Sequence, residues 1–66
     1  MWNNETMQRQ DMIGYILRGI DAVPGCEWAR VCCGREYKVW RADGAFCYFT
    51  FDDLRAAVRV WHWVRD

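Results

Sequence analysis

Four cysteines and one histidine are the side chains here that could ligate a metal or attack a carbonyl. They are Cys26, Cys32, Cys33, Cys47 and His62. A structural zinc site is built from cysteine pairs two to four residues apart, closed by a second pair or by histidines. Here the cysteines run C-x5-C-C-x13-C, which does not supply two such pairs. Cys32 and Cys33 are adjacent, and in a strand successive side chains point to opposite faces, which discourages shared ligation. Cys47 and His62 would make a thiol–imidazole dyad, but no third group or oxyanion-stabilising pattern accompanies them. Serine is absent from the chain, so serine nucleophiles are excluded. A chain of 66 residues also has little room for a sheltered pocket. The residue types point away from an enzyme, with no catalytic, metal or cofactor residue assigned.

What positions these residues is a single small domain spanning 1–66. A domain of this size buries only about 60% of the surface of its unfolded chain and is marginally stable. Five Trp, three Tyr and three Phe offset that with large side chains. Met12, Ile13, Ile16, Leu17 and Ile20 recur as one face of a first helix, with Asn3 or Asn4 capping an early start or Asp11 a late one. Met7 belongs with that apolar face. Val23-Pro24-Gly25-Cys26 reads as a type II turn that ends the helix. Three strands follow, "EWARVCC", "REYKVWR" and "AFCYFTF", punctuated by Gly34 and by Asp43-Gly44. A last helix, "DDLRAAVRVWHWVR", has Thr50 or Asp52 as N-cap and an apolar stripe of Leu54, Ala57, Val58, Trp61 and Val64. Val60 and Trp63 lie off that stripe, and Arg55, Arg59 and His62 line a solvated basic one. The expected fold is α+β, in the order α-β-β-β-α. A three-stranded antiparallel meander packs against helices on its buried face, or with one helix on each face.

Turn chemistry then sorts the rings. A two-residue Asp-Gly turn would pair Ala42 with Ala45 and Trp40 with Cys47, and would mix Lys38 and Glu36 with Trp40, Phe49 and Phe51 on one face. A three-residue loop at Ala42-Asp43-Gly44 segregates the faces more cleanly and pairs Trp40 with Phe46, Val39 with Cys47, Lys38 with Tyr48 and Tyr37 with Phe49. Tyr37, Val39, Cys47, Phe49 and Phe51 then face inward, and Trp40, Phe46 and Tyr48 face outward. A three-residue loop at Cys33-Gly34-Arg35 would bring Trp28 beside Trp40 and Arg30 beside Lys38 on the outer face. The expected outer patch is therefore Trp28, Arg30, Lys38, Trp40, Phe46 and Tyr48. It is either covered by the first helix or free to bind a partner, since Trp, Tyr and Arg carry most interface energy.

Lys and Arg number nine and Asp and Glu nine, so the chain is formally neutral. Residues 1–27 hold two cations against four acids, Glu5, Asp11, Asp21 and Glu27, and residues 28–66 hold seven cations against five acids. Neutrality disfavours non-specific nucleic-acid binding, which needs a basic surplus. No apolar run is long enough to span a membrane, and "MWNNETMQRQ" is not a secretory leader. The expectation is a cytoplasmic chain with reduced, small, buried thiols and no membrane partner.

In size, compactness and lack of motif the chain resembles the small phage-encoded anti-CRISPR proteins; the resemblance is one of type and covers no specific residues. It implies a non-enzymatic inhibitor that docks on a host effector, in the host bacterial cell, and blocks it by occlusion. Residues 28–62 are also similar in element order to plant ethylene-response-type DNA-binding domains, with Trp28, Arg30, Lys38 and Trp40 on the sheet and "FTFDDLRAAVRVW" behind. Few arginines, short strands and zero net charge depart from that pattern. A small regulatory homodimer, held by the aromatic face or by Val60 and Trp63, is the third expectation.

Overall fold

The computed structural model describes the backbone of residues 5–66 and the side chains of residues 11–66. The elements run α1 (Glu5–Asp21), β1 (Glu27–Val31), β2 (Glu36–Trp40), β3 (Phe46–Thr50) and α2 (Leu54–Val64). The strands form one antiparallel sheet in the order β1-β2-β3. Both helices lie on one face of it, so the domain is a two-layer α+β sandwich in which, among the described residues, nothing packs on the opposite sheet face. Ile13, Ile16, Leu17 and Ile20 of α1 meet Tyr37, Val39 and Phe49 of the sheet and Ala57, Val60 and Val64 of α2. Ile20 and Val39 are fully buried. Burying a side chain of this kind contributes about 1.5–3 kcal/mol relative to leaving it exposed.

The helix α1 begins well before Asp11, so the late start is corrected and Asp11 sits inside the helix. Asn3, Asn4 and the side chains of Glu5 and Met7 lie outside the described residues. Met12, expected on the apolar face, is exposed; Ile13, Ile16, Leu17 and Ile20 already fill the contact surface. After α1 the Cys26 N–H donates to the Val23 carbonyl at 3.1 Å across Pro24-Gly25, with Gly25 at φ 82°, as a type II turn requires.

The β2–β3 register is the expected one: Trp40 pairs with Phe46, Val39 with Cys47, Lys38 with Tyr48 and Tyr37 with Phe49. Its loop is closed by the Arg41 N–H on the Ala45 carbonyl at 2.8 Å, with Gly44 at φ 91°. The Asp43 carboxylate accepts from the Ala45 N–H at 2.9 Å and from the Arg41 guanidinium at 2.6 Å. These bonds, the backbone one first, hold its pKa below the ordinary carboxylate value.

The β1–β2 register differs from expectation by one residue. Val31 pairs with Glu36, Arg30 with Tyr37, Ala29 with Lys38, Trp28 with Val39 and Glu27 with Trp40. The loop holds four residues, Cys32 to Arg35, rather than three. Its first turn has Cys32 at φ 53° and Cys33 at φ 59°, and the Gly34 N–H donates to the Val31 carbonyl at 3.1 Å. Two left-handed central residues give this first turn the primed geometry that matches strand twist, formed here by cysteines where Asn-Gly is usual. The Arg35 N–H on the Cys32 carbonyl at 3.1 Å closes a second, overlapping turn that completes the four-residue loop.

Asp53, rather than Thr50 or Asp52, caps α2: its carboxylate accepts from the Ala56 N–H at 3.0 Å and its carbonyl from the Ala57 N–H at 3.0 Å. Asp53→Ala is expected to lower stability by about 1 kcal/mol, and Asp52→Ala to change little. Urea titrations of the two variants check this; the reverse ranking would remove Asp53 from the cap. Val60, expected off the core stripe, is buried, because α2 is contacted by α1 on one side and by β3 on the other. Trp61 and Trp63 pack half-buried on either flank of that widened stripe.

Candidate functional site

The open sheet face is set by the two registers together. Its rows are Glu27–Trp40–Phe46, Ala29–Lys38–Tyr48 and Val31–Glu36–Thr50. Four of the six expected patch residues, Lys38, Trp40, Phe46 and Tyr48, lie together on it. Trp28 and Arg30 do not, which corrects the expected patch. The one-residue shift in β1 turns both to the helix-covered face, since the side-chain period of a strand is two. There Trp28 packs half-buried against the core, edge-on to Tyr37 with ring centroids 5.7 Å apart. The exposed Arg30 guanidinium lies 5.8 Å from the Tyr37 ring centroid. Phe51, expected inward, lies on that side. Its N–H continues the ladder onto the Arg35 carbonyl at 3.0 Å and its side chain lines a cleft with Ile13, Leu17 and Tyr37, although at the end of the sheet it stays 46% exposed.

On the open face the Lys38 ammonium is surrounded by three rings. Its Nζ is 4.2 Å from the Phe46 centroid, 5.0 Å from Trp40 and 5.6 Å from Tyr48. Each cation–ring contact is worth about 0.5–1 kcal/mol at an exposed site and more once water is removed. Phe46 and Tyr48 meet edge to face at 6.0 Å, yet remain 53% and 50% exposed. Trp40 and Lys38 are half-buried. Neither described helix reaches this face, so the rings are not the underside of α1.

Among the described residues the face carries one cation, Lys38, against two acids, Glu27 and Glu36. Of the acidic residues in the first part of the chain, Asp11 and Asp21 are exposed on α1 and only Glu27 shares the ring face. Arg55, Arg59 and His62 are all exposed on α2, as a solvated face would have them. The far end of α2 is tied to the β2–β3 loop by Arg41. Its guanidinium stacks 5.0 Å from the Trp63 ring and donates to the Trp63 carbonyl at 3.4 Å. A cation there also complements the helix dipole.

The cysteines are all free, and the structure divides them. Cys26 and Cys47 are half-buried, whereas Cys32 and Cys33 are exposed at the hairpin tip, which corrects the expectation of four buried thiols. Burial pushes the Cys47 thiol pKa up, the opposite of what activates a nucleophile. The cleft beside it is lined by Tyr48, Ala56, Arg59, Val60 and Trp63, and His62 is not among them. Among the described residues no three His, Cys, Asp or Glu side chains gather as a metal site would need. No helix among them is long and apolar enough to cross a membrane.

The turn that reorients Trp28 carried no usual signature, since Cys-Cys is not a left-handed pair by propensity. Compared with known proteins, the chain matches no family model, no curated sequence and no solved structure.

Proposed function

We propose that the chain is a non-enzymatic protein-binding inhibitor that docks through the outer face of its sheet, with Trp40, Phe46 and Tyr48 as anchors around Lys38. The observation that carries this reading is the pair of half-exposed rings, Phe46 and Tyr48, packed with Trp40 on a face that neither described helix covers. Contiguous exposed aromatic surface on a small protein marks an interaction site. Aromatic side chains that become fully desolvated at the centre of an interface supply most of its energy. Because Glu27 and Glu36 outnumber Lys38 on this face, it lacks the cationic surplus that drives binding to phosphates. The charge balance therefore favours a protein over a nucleic acid.

The partner class is a bacterial nucleic-acid-binding effector of the CRISPR type, blocked by occlusion. Glu27 and Glu36 would face the cations of its groove while the rings bury against its walls. Complementary charge of this kind sets register and association rate more than affinity.

Trp40→Ala and Phe46→Ala are each expected to weaken capture of the partner by about 30-fold or more, which corresponds to about 2 kcal/mol. Affinity purification from a bacterial lysate, with mass spectrometry of the captured proteins, reads the effect. Far-UV circular dichroism establishes that each variant keeps the fold. Equal capture by wild type and both folded variants would remove this face as the docking surface. Capture of a protein unrelated to nucleic-acid binding, lost in both variants, would keep the face and overturn the partner class.

A further inference from the structure

Cys32 and Cys33 occupy the tip of the β1–β2 hairpin, away from the open sheet face and independent of what docks there. As strand residues they would point to opposite faces and could not share a ligand. The four-residue loop removes both from the strand. They become the two central residues of one turn, both left-handed and both exposed. Both side chains therefore leave one solvent-exposed turn and are no longer fixed on opposite faces of a sheet. Two sulfurs do not complete a tetrahedral zinc site, and among the described residues no further His, Cys, Asp or Glu makes up a third ligand. They do complete a soft, three-coordinate centre that already carries one carbon substituent.

We infer that Cys32 and Cys33 form a vicinal dithiol site for monosubstituted trivalent arsenicals. The arsenic(III) oxide of such a compound, R–As=O, condenses with the two thiols. Two As–S bonds form, the As=O bond is lost, and the oxygen leaves as water with both thiol protons. The arsenic oxidation state does not change and no co-reactant is consumed. The left-handed backbone at two non-glycine residues is the conformational cost of presenting the pair, and such outliers concentrate where side-chain chemistry needs them.

Phenylarsine oxide, added in equimolar amount to the reduced full chain, tests this by intact-mass spectrometry. The expected result is one adduct per chain, kept in the Cys26→Ser/Cys47→Ala variant and lost in both Cys32→Ser and Cys33→Ser. Excess monothiol should leave the adduct in place and 2,3-dimercaptopropanol should remove it. A thermal melt with and without the arsenical establishes whether the folded hairpin is the binding form. Binding to the native state raises the midpoint, since a ligand of the folded state stabilises it. Retention of the adduct in either serine variant, or an unchanged or lowered midpoint, would overturn the assignment.

Discussion

Gly19→Ala lowers stability by about 2 kcal/mol, although alanine is the better helix former by about 1 kcal/mol. Gly19 lies inside α1 where α2 crosses it, and a Cβ built there runs into the Cζ3 and Cη2 atoms of the Trp61 ring. That ring is half-buried against the core, with the Arg65 guanidinium 4.8 Å from its centroid. It is a rigid plane and not the free end of a flexible chain, so the helices must part or the indole must leave its site. Overpacking of this kind costs about 1–3 kcal/mol and occasionally more. Moving α1 also disturbs the fully buried Ile20 beside it. Gly14 in the same helix supplies the contrast. The nearest atom to a Cβ there is the Arg18 Nη1 at 3.9 Å, so Gly14→Ala is expected to stabilise by up to about 1 kcal/mol. Urea denaturation of both variants reads the opposite signs. The double variant Gly19→Ala/Trp61→Leu should lose less than the two single changes summed, because residues in contact couple. A Gly19→Ala protein more stable than wild type would show that α1 and α2 do not approach at this point.

Cys32→Asn/Cys33→Gly raises stability by about 2 kcal/mol. A left-handed residue with a side chain costs roughly 1–2 kcal/mol, and the native turn holds two in succession at φ 53° and 59°. Asn tolerates this region and Gly occupies it freely, which is why Asn-Gly dominates two-residue hairpin turns. For a domain of this length the gain corresponds to roughly 8–16 °C in the thermal midpoint. Melts under reducing conditions check it. An unchanged midpoint would mean that the turn between Val31 and Gly34 is not left-handed at both residues. Stability forgone at this turn is what the dithiol assignment above explains, since the more stable sequence contains no thiol.

The two hairpins show how far local pattern reaches. At the β2–β3 turn, Asp43-Gly44 is a strong turn signal. The signal leaves two loop lengths open, but the flanking residues alternate cleanly only in the three-residue register, with Tyr37, Val39, Cys47 and Phe49 on one face, so the hydrophobic pattern selects it. At the β1–β2 turn neither constraint is decisive. Cys-Cys-Gly-Arg names no turn type, and β1 offers large mixed side chains on one face, Trp28 and Arg30, against small apolar ones on the other, Ala29 and Val31. Either face can be buried by pattern alone. The inner layer decides it, because Trp28 fills the space beside Tyr37 under α1, and the indole provides more buried surface than an alanine would.

The same distinction holds for the helices and for the candidate site. Element order, both helices, the Pro24-Gly25 turn, the β2–β3 register and the outward set Lys38, Trp40, Phe46 and Tyr48 follow from the sequence by itself. Each of these rests on residues within one turn or one strand pair, where periodicity and backbone sterics act directly. Only the tertiary structure decided that both helices share one face, that Val60 is core, that Trp28 and Arg30 leave the outer patch and that Cys32 and Cys33 share a turn. These depend on what lies across the molecule from each residue, and a side chain's burial is a property of its distant neighbours as much as of its own type.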